Sequence, residues 1–140
     1  MKNPKNRFIE LNLKIDAANK NWPSPKLRPK EEHRSQINKT NRATDALINV
    51  FKYFEENIEE ADHILSELME HENELVRAGA SSHCLALNIR VEQALTVLRN
   101  VLIDKTSRWA KLQADGVLMV YEERGYLTMY QGQKIYRSVN

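Results

Sequence analysis

The sequence predicts an all-α domain of about five antiparallel helices, with an extended N-terminal arm before them and a short tail after. Three observations carry this expectation. The 140-residue chain holds only 4 Gly and 4 Pro, and three of the prolines fall together in the run WPSPKLRPK at 22–30, so turn-forming residues are scarce elsewhere. Apolar residues recur three and four apart through most of 40–124. Asn57, Asn73, Asn88 and Gly125 interrupt that pattern where helix caps are needed. The length suits one domain with a real core. Its natural divisions are an arm and Pro-rich linker at 1–30, a helical body at 31–125 and a Tyr-rich tail at 126–140.

Taken in order, residues 1–21 carry Phe8, Ile9, Leu11, Leu13 and Ile15, a pattern that suits either a short strand or one helical docking segment. The Pro-rich run is expected to lie extended over the surface, because each proline removes a donor and biases its predecessor away from helix. Trp22 and Leu27 are its candidate anchors. The first helix of the body starts at 31 or 40 and ends at 56, with Ala43, Ala46, Leu47, Val50, Phe51 and Phe54 as its apolar stripe. Asn57 caps a second, 58–71, whose Ile58, Ala61, Ile64, Leu65, Leu68 and Met69 face inward. Asn73 caps a third, 74–87, which ends at a left-handed Asn88. A fourth spans 91–103, with Val91, Ala94, Leu95, Leu98, Val101 and Leu102 inward, and a fifth spans 106–124 before Gly125. Trp109, Leu112, Val117, Leu118, Val120 and Tyr121 are the inward set of that fifth helix. The tail YLTMYQGQKIYRSVN alternates apolar and polar residues and reads as a hairpin around Gln131-Gly132 or an extended arm.

Composition narrows the function classes. Hydrophobic residues make up 41% and charged residues 29%, an ordinary soluble balance. The single Cys84 excludes an internal disulfide framework and favours a reducing, cytoplasmic setting. No apolar run approaches the roughly 20 residues of a membrane span. The basic N-terminus lacks the apolar stretch of a secretory signal.

A net charge of +2 conceals a strong asymmetry. Residues 1–52 balance at +7, residues 53–74 at −9 with no base among them, and residues 75–140 at +4. Segregation of this kind suggests a partner surface, although a solvated helix face would look the same. The acidic segment makes Glu59, Glu60, Asp62, Glu67, Glu70 and Glu74 candidate partner-binding residues. Tyr126 and Tyr130 are candidate anchors from the tail, since tyrosine is enriched at interface hot spots.

His63, Glu67 and His71 stand at i, i+4 and i+8, a spacing that could present two imidazoles and a carboxylate to a divalent metal. Simple His–Glu surface pairs account for them more economically, so neither metal nor cofactor is expected. His83 reads as a buried, hydrogen-bonded histidine and Cys84 as a small core residue. Phosphate loop, nucleophile elbow and CxxC pair are all missing, which argues against an enzyme. The basic residues Lys26, Arg28, Lys30, Arg34, Lys39 and Arg42 could touch phosphates, but no aromatics are interleaved for base stacking.

Ile64 and Leu68, a short acidic turn, then Asn73-x-x-Val76-Arg77-x-x-Ala80 resemble the A helix, turn and B helix of a HEAT repeat. The resemblance implies that Asn73 caps the B helix, Val76 enters the core and Arg77 lies along the ridge between repeats. The wider order, acidic helix, ELVRAGASSHCLAL, VEQALTVLRNVL and Ala114-x-x-x-Leu118-x-x-Tyr121, resembles a small bacterial family of HEAT-like domains found among toxin-immunity proteins. That resemblance covers roughly 40–125 and implies a HEAT-like stack that binds and neutralises a cognate basic toxin, such as a nuclease. HEAT-like helices also build a DNA glycosylase fold that uses Trp and Asp, for which Trp109 and Asp115 would be the candidates here. Nucleic-acid binding or repair is thus the alternative function. A homodimer in which the basic arm of one chain covers the acidic helix of another is a third.

Overall fold

The computed structural model describes residues 1–20, 30–104 and 107–137, with side chains of the second segment from residue 34. Six helices and no strands occur among them: α1 (Pro4–Ala18), α2 (Lys30–Glu56), α3 (Ile58–Leu68), α4 (Glu74–Leu87), α5 (Val91–Ile103) and α6 (Arg108–Arg124). Five correspond to the predicted body. The sixth, α1, corrects the extended arm: the first 18 residues are largely helix. Its Phe8, Leu11 and Ile15 are buried, spaced three and four apart, while Leu13 stays exposed. The ambiguous pattern is resolved in favour of the helical period because α1 docks along α2 and against α4. The proline run and its anchors Trp22 and Leu27 lie outside the described residues.

Caps set most of the boundaries. Asn73 accepts from the backbone amides of Leu75 (2.9 Å) and Val76 (3.0 Å), which starts α4 where the sequence places it. Asn88 (φ 57°) and Gly125 (φ 76°) end α4 and α6 in left-handed conformations. Ser107, which the sequence reading overlooked, accepts from the Ala110 amide at 3.1 Å and starts α6. Asn57 behaves otherwise than expected. It makes no side-chain cap, and its Nδ2 donates back to Tyr53 O at 2.9 Å. α3 also ends at Leu68, one turn early, so His71 stands in the connecting turn. There its Nδ1 accepts from the Asn73 amide at 3.0 Å.

α4 is the axis of the molecule. It touches α1, α3, α5 and α6, and eleven of its fourteen residues are buried. Small residues make this possible. A Cβ on Gly79 would come within 2.9 Å of Asn12 Oδ1 and 3.2 Å of Phe8 Cζ, so glycine keeps α1 close. The expected apolar stripe of α2 is the other wall, with Ala43, Val50, Phe51 and Phe54 buried. Ile58 and Leu112 break the predicted pattern and are exposed.

At the centre stands His83, 2% exposed, with Phe8 and Phe51 edge-on at centroid distances of 4.9 and 5.1 Å and Phe54 at 6.0 Å. Burial is as the sequence suggested, but the hydrogen bond is not: Nδ1 has no partner among the described residues. Burial pushes the imidazole from 6.5 down to about 3, because charge cannot be solvated there. The unfolded chain therefore takes up a proton near pH 6.5 that the folded chain refuses. Stability is complete above that pH and falls as pH drops towards 3, by up to about 1.4 kcal/mol per pH unit. Chemical denaturation between pH 7 and 5, above the carboxylate range, should show this slope in the natural chain. The His83→Phe variant should lose it.

Candidate functional site

The acidic segment begins at the end of α2, runs along α3 and reaches the first turn of α4. In α3 the core takes Ala61, Ile64, Leu65 and Leu68, which leaves Glu59, Glu60, Asp62 and Glu67 on the outer side. Glu59 and Glu60 occupy the first turn, where the helix dipole favours negative charge.

Much of this charge is already engaged by the chain itself. Asp62 takes a two-pronged contact from Arg90, Nε to Oδ1 at 2.8 Å and Nη2 to Oδ2 at 3.2 Å, and this guanidinium holds the carboxyl below its ordinary range. Arg90 itself sits at φ 47°, a conformation without obvious local cause that aims the side chain at α3 from the start of α5. Glu67 pairs with Lys5 of α1, whose hydrogen bond likewise lowers its carboxyl, and receives His63 Nε2 at 3.0 Å. Glu60 accepts the Tyr53 hydroxyl at 2.6 Å, and that bond raises the phenol. Glu74 has an interaction of its own. Glu56, Glu59, Glu70 and Glu72 make no side-chain hydrogen bond or ion pair among the described residues. The committed Asp62 and Glu67 stand within α3 and Glu60 in its first turn beside Glu59, while Glu56 ends α2 and Glu70 and Glu72 lie in the turn after α3.

The two tyrosine anchors have intramolecular roles. Tyr130 donates its hydroxyl to Glu55 Oε1 at 2.6 Å, while Tyr136 donates to Oε2 of the same carboxylate at 2.8 Å. The first bond is the main cause that raises Tyr130 to about 12. Lys52 Nζ lies 4.7 Å above the Tyr130 ring. Tyr126 is half-buried, with the Arg137 guanidinium 5.6 Å over its face. Gln133 is buried, accepts from the Met129 amide at 2.5 Å and donates to Ala86 O at 3.4 Å. The described tail therefore makes a turn rather than a hairpin, with Gly132 at φ 89°, and is fastened to α2 and the end of α4.

A cationic face lies elsewhere. Arg7 and Lys14 of α1 and Lys39 and Arg42 of α2 rim a groove of about 560 Å³ with Leu11, Ala17, Ala18, Ala43 and Ala46 along it. Glu10 partly neutralises it through Arg7 (3.3 Å) and Lys14 (3.1 Å). Arg34 is exposed on α2, whereas Lys26 and Arg28 and the side chain of Lys30 lie outside the described residues.

For catalysis or metal the arrangement is sparse. His63 and Glu67 meet, but His71 is drawn into the turn before α4, and no group of three His, Cys, Asp or Glu among the described residues could hold a metal ion. Cys84 is buried and its thiol is pushed up to about 12 by desolvation, far from a reactive thiolate. Trp109 is half-buried and Asp115 exposed, on one helix but not on one face. No helix among the described residues is long and apolar enough to cross a membrane. The chain matches no protein-family model, no curated protein and no solved structure.

Glu55 carries the tail on two part-buried hydrogen bonds to one carboxylate. In Glu55→Ala both tyrosines lose their acceptor. Limited trypsin digestion should then cut at Lys134 and Arg137 several-fold faster, with the melting temperature of the helical body almost unchanged. Equal cleavage rates would mean that Leu127 and Gln133 alone hold the tail.

Proposed function

We propose that the chain is a non-catalytic protein-binding module, and more specifically a toxin-neutralising protein of the immunity type. It would work in the cytoplasm and bind a cognate basic toxin. The observation that carries the reading is the uncommitted negative charge at Glu56, Glu59, Glu70 and Glu72, mounted at both ends of a braced helix. Charges held on a rigid frame impose little ordering cost on association, and they steer an oppositely charged partner. The braces matter to this role as much as the free charges. Arg90 and Lys5 hold α3 in place from α5 and α1.

The HEAT-like part of the proposal is supported at the α3–α4 pair. Asn73 caps α4, Val76 is fully buried, and Arg77 donates to His71 O (2.8 Å), Glu72 O (2.9 Å) and Asp104 Oδ2 (3.1 Å). The arginine thus links the turn before α4 to the end of α5, as a ridge residue between stacked helix pairs would.

The partner-binding set of this proposal changes in emphasis from that of the sequence. Glu59 and Glu70 remain leading contact residues, joined by Glu56 and Glu72. Glu60, Asp62 and Glu67 act mainly as supports, and Tyr126 and Tyr130 anchor the tail to its own body. Nucleic-acid binding through the groove rimmed by Arg7, Lys14, Lys39 and Arg42 is a second reading, favoured by that cluster of cations.

Affinity capture from the source cell at low salt tests the choice. A stoichiometric basic protein supports the first reading, and co-purifying nucleic acid with a steep salt dependence supports the second. With the partner in hand, the triple variant Glu56→Lys, Glu59→Lys, Glu70→Lys should associate at least about tenfold more slowly at low salt, with normal helicity. An unchanged on-rate would remove the acidic ends of α3 from the interface.

A further inference from the structure

The outer face of α6 is the surface that the described packing leaves without a role. α6 rests on α4 and α5, and Ala110, Ala114 and Leu118 are its buried residues. At about 100° per residue, Arg108, Leu112, Gly116, Met119 and Glu123 gather within an arc of about 80° on the opposite side of the helix. All of them are exposed, Leu112 by 43% and Met119 by 63%. Apolar residues scattered singly over a surface need no explanation, but these two share one stripe with a glycine between them. Glycine weakens the middle of a helix relative to alanine. At Gly79 of α4 a close contact that a Cβ would spoil compensates for this. At Gly116 a Cβ would meet no described atom within 4 Å, so no such contact within the described chain compensates there. Arg108 and Glu123 make no side-chain hydrogen bond or ion pair among the described residues.

The order of these residues along the helix is self-complementary. A second α6 laid antiparallel, with a two-fold axis between positions 115 and 116, sets Arg108 against Glu123 and Leu112 against Met119, and symmetry repeats both pairs beyond the axis. The charged pair and the apolar pair share that midpoint, so each places the axis independently at the same spot. Gly116 stands beside it, where two crossing helices come closest and a missing side chain lets the backbones approach. We propose that the chain forms a symmetric homodimer through α6, antiparallel, with Gly116 at the crossing. A parallel pairing would set arginine on arginine and glutamate on glutamate. The antiparallel contact is isologous, so it closes at two copies instead of running on into a filament. Its paired length from Arg108 to Glu123 is about 22 Å and one helix wide, a small interface, which points to a weak dimer with Kd on the order of 100 µM. α3 packs on α1, α2 and α4, so the acidic segment is a different surface, and the dimer does not depend on what that segment binds.

Sedimentation equilibrium of the full chain at low salt, from about 5 µM to about 1 mM, tests this. The natural chain should pass from monomer to dimer over that range. Arg108→Glu and Glu123→Arg should each raise Kd at least about tenfold, because each sets like charges together twice. Both put the favoured sign near its end of the helix dipole, so helicity should be unchanged. An equimolar mixture of the two single variants should dimerise like the natural chain, since every facing pair is then opposite in charge. The variant carrying both reversals should do the same. Gly116→Gln should raise the melting temperature of the dilute monomer, where the new side chain meets open space, and weaken the dimer at least about tenfold. A chain still monomeric at about 1 mM would overturn the proposal. So would a dimer that Gly116→Gln leaves intact, or single reversals whose mixture associates no better than either alone. A dimer built on the acidic segment and a basic arm would ignore all the α6 variants, and that result also overturns it.

Discussion

The packing of α1 and α2 around the middle of α4 is the constraint on which everything else depends. Phe8, Phe51 and Phe54 come from two helices separated by the proline run, and all three lay their edges on His83. A phenylalanine or leucine on α4 would fill the space with no polar debt. Histidine fills it with a ring that must stay neutral and that leaves one nitrogen unsatisfied. The close approach of α1 needs Gly79 as well, since a methyl group there would strike Asn12 and Phe8. Glycine in mid-helix gives up about 1 kcal/mol of helix propensity against alanine, and the contact it allows is what compensates. The small run around it is therefore a docking surface for the chain's own first helix.

In the acidic segment, charge is divided between carboxylates that brace the fold and carboxylates that make no side-chain contact among the described residues. Composition alone makes nine acids look equivalent. In three dimensions, Asp62 and Glu67 are tied to Arg90 and Lys5, and Glu55 and Glu60 receive tyrosine hydroxyls. The Arg90, Lys5 and Tyr53 contacts are exposed, so each contributes little to stability in water, whereas the two tyrosine bonds to Glu55 are part-buried. Their effect is geometric: they fix α3 between α1 and α5 and keep its flanks in register. Like charges at the two ends would otherwise repel along a mobile element. Bracing at Glu60, Asp62 and Glu67 holds Glu59 and Glu70 in a defined pattern instead of a diffuse cloud.

The sequence made the body of the molecule legible and its ends obscure, for physical reasons. Helices α2 to α6 are amphipathic, and their periodicity and caps are local signals: Asn73, Asn88 and Gly125 do at α4 and α6 what their types suggest. α1 was ambiguous because Phe8, Ile9, Leu11, Leu13 and Ile15 satisfy two periods at once, and only tertiary docking decides between them. The tail's attachment was invisible, since Tyr130 and Tyr136 reach Glu55 across 75 and 81 residues. Pairing in the acidic band was hidden likewise, because Lys5 lies 62 and Arg90 lies 28 residues from the carboxylates they hold. The orphan nitrogen of His83 had no sequence signal at all. An apolar neighbourhood predicts burial but says nothing of hydrogen bonding. Ile58 and Leu112 mark the opposite failure, where helical spacing placed residues inward that the neighbouring helices do not reach.

These long-range attachments bear on one another. The first helix and the tail, the two least legible segments, supply opposite walls of a cleft of about 300 Å³ beside His83: Phe8, Asn12 and Ile15 from one, Leu127, Thr128 and Met129 from the other. Neither wall would exist if the segment were an open arm. Gly79, itself in the lining, admits the first helix, and Glu55, outside it, holds the tail through two phenols. A repacked core would close such a space readily, since cores tend to native density and small voids carry a cost. Its persistence beside an unsatisfied imidazole means that two separate costs, one of packing and one of hydrogen bonding, fall at the same place.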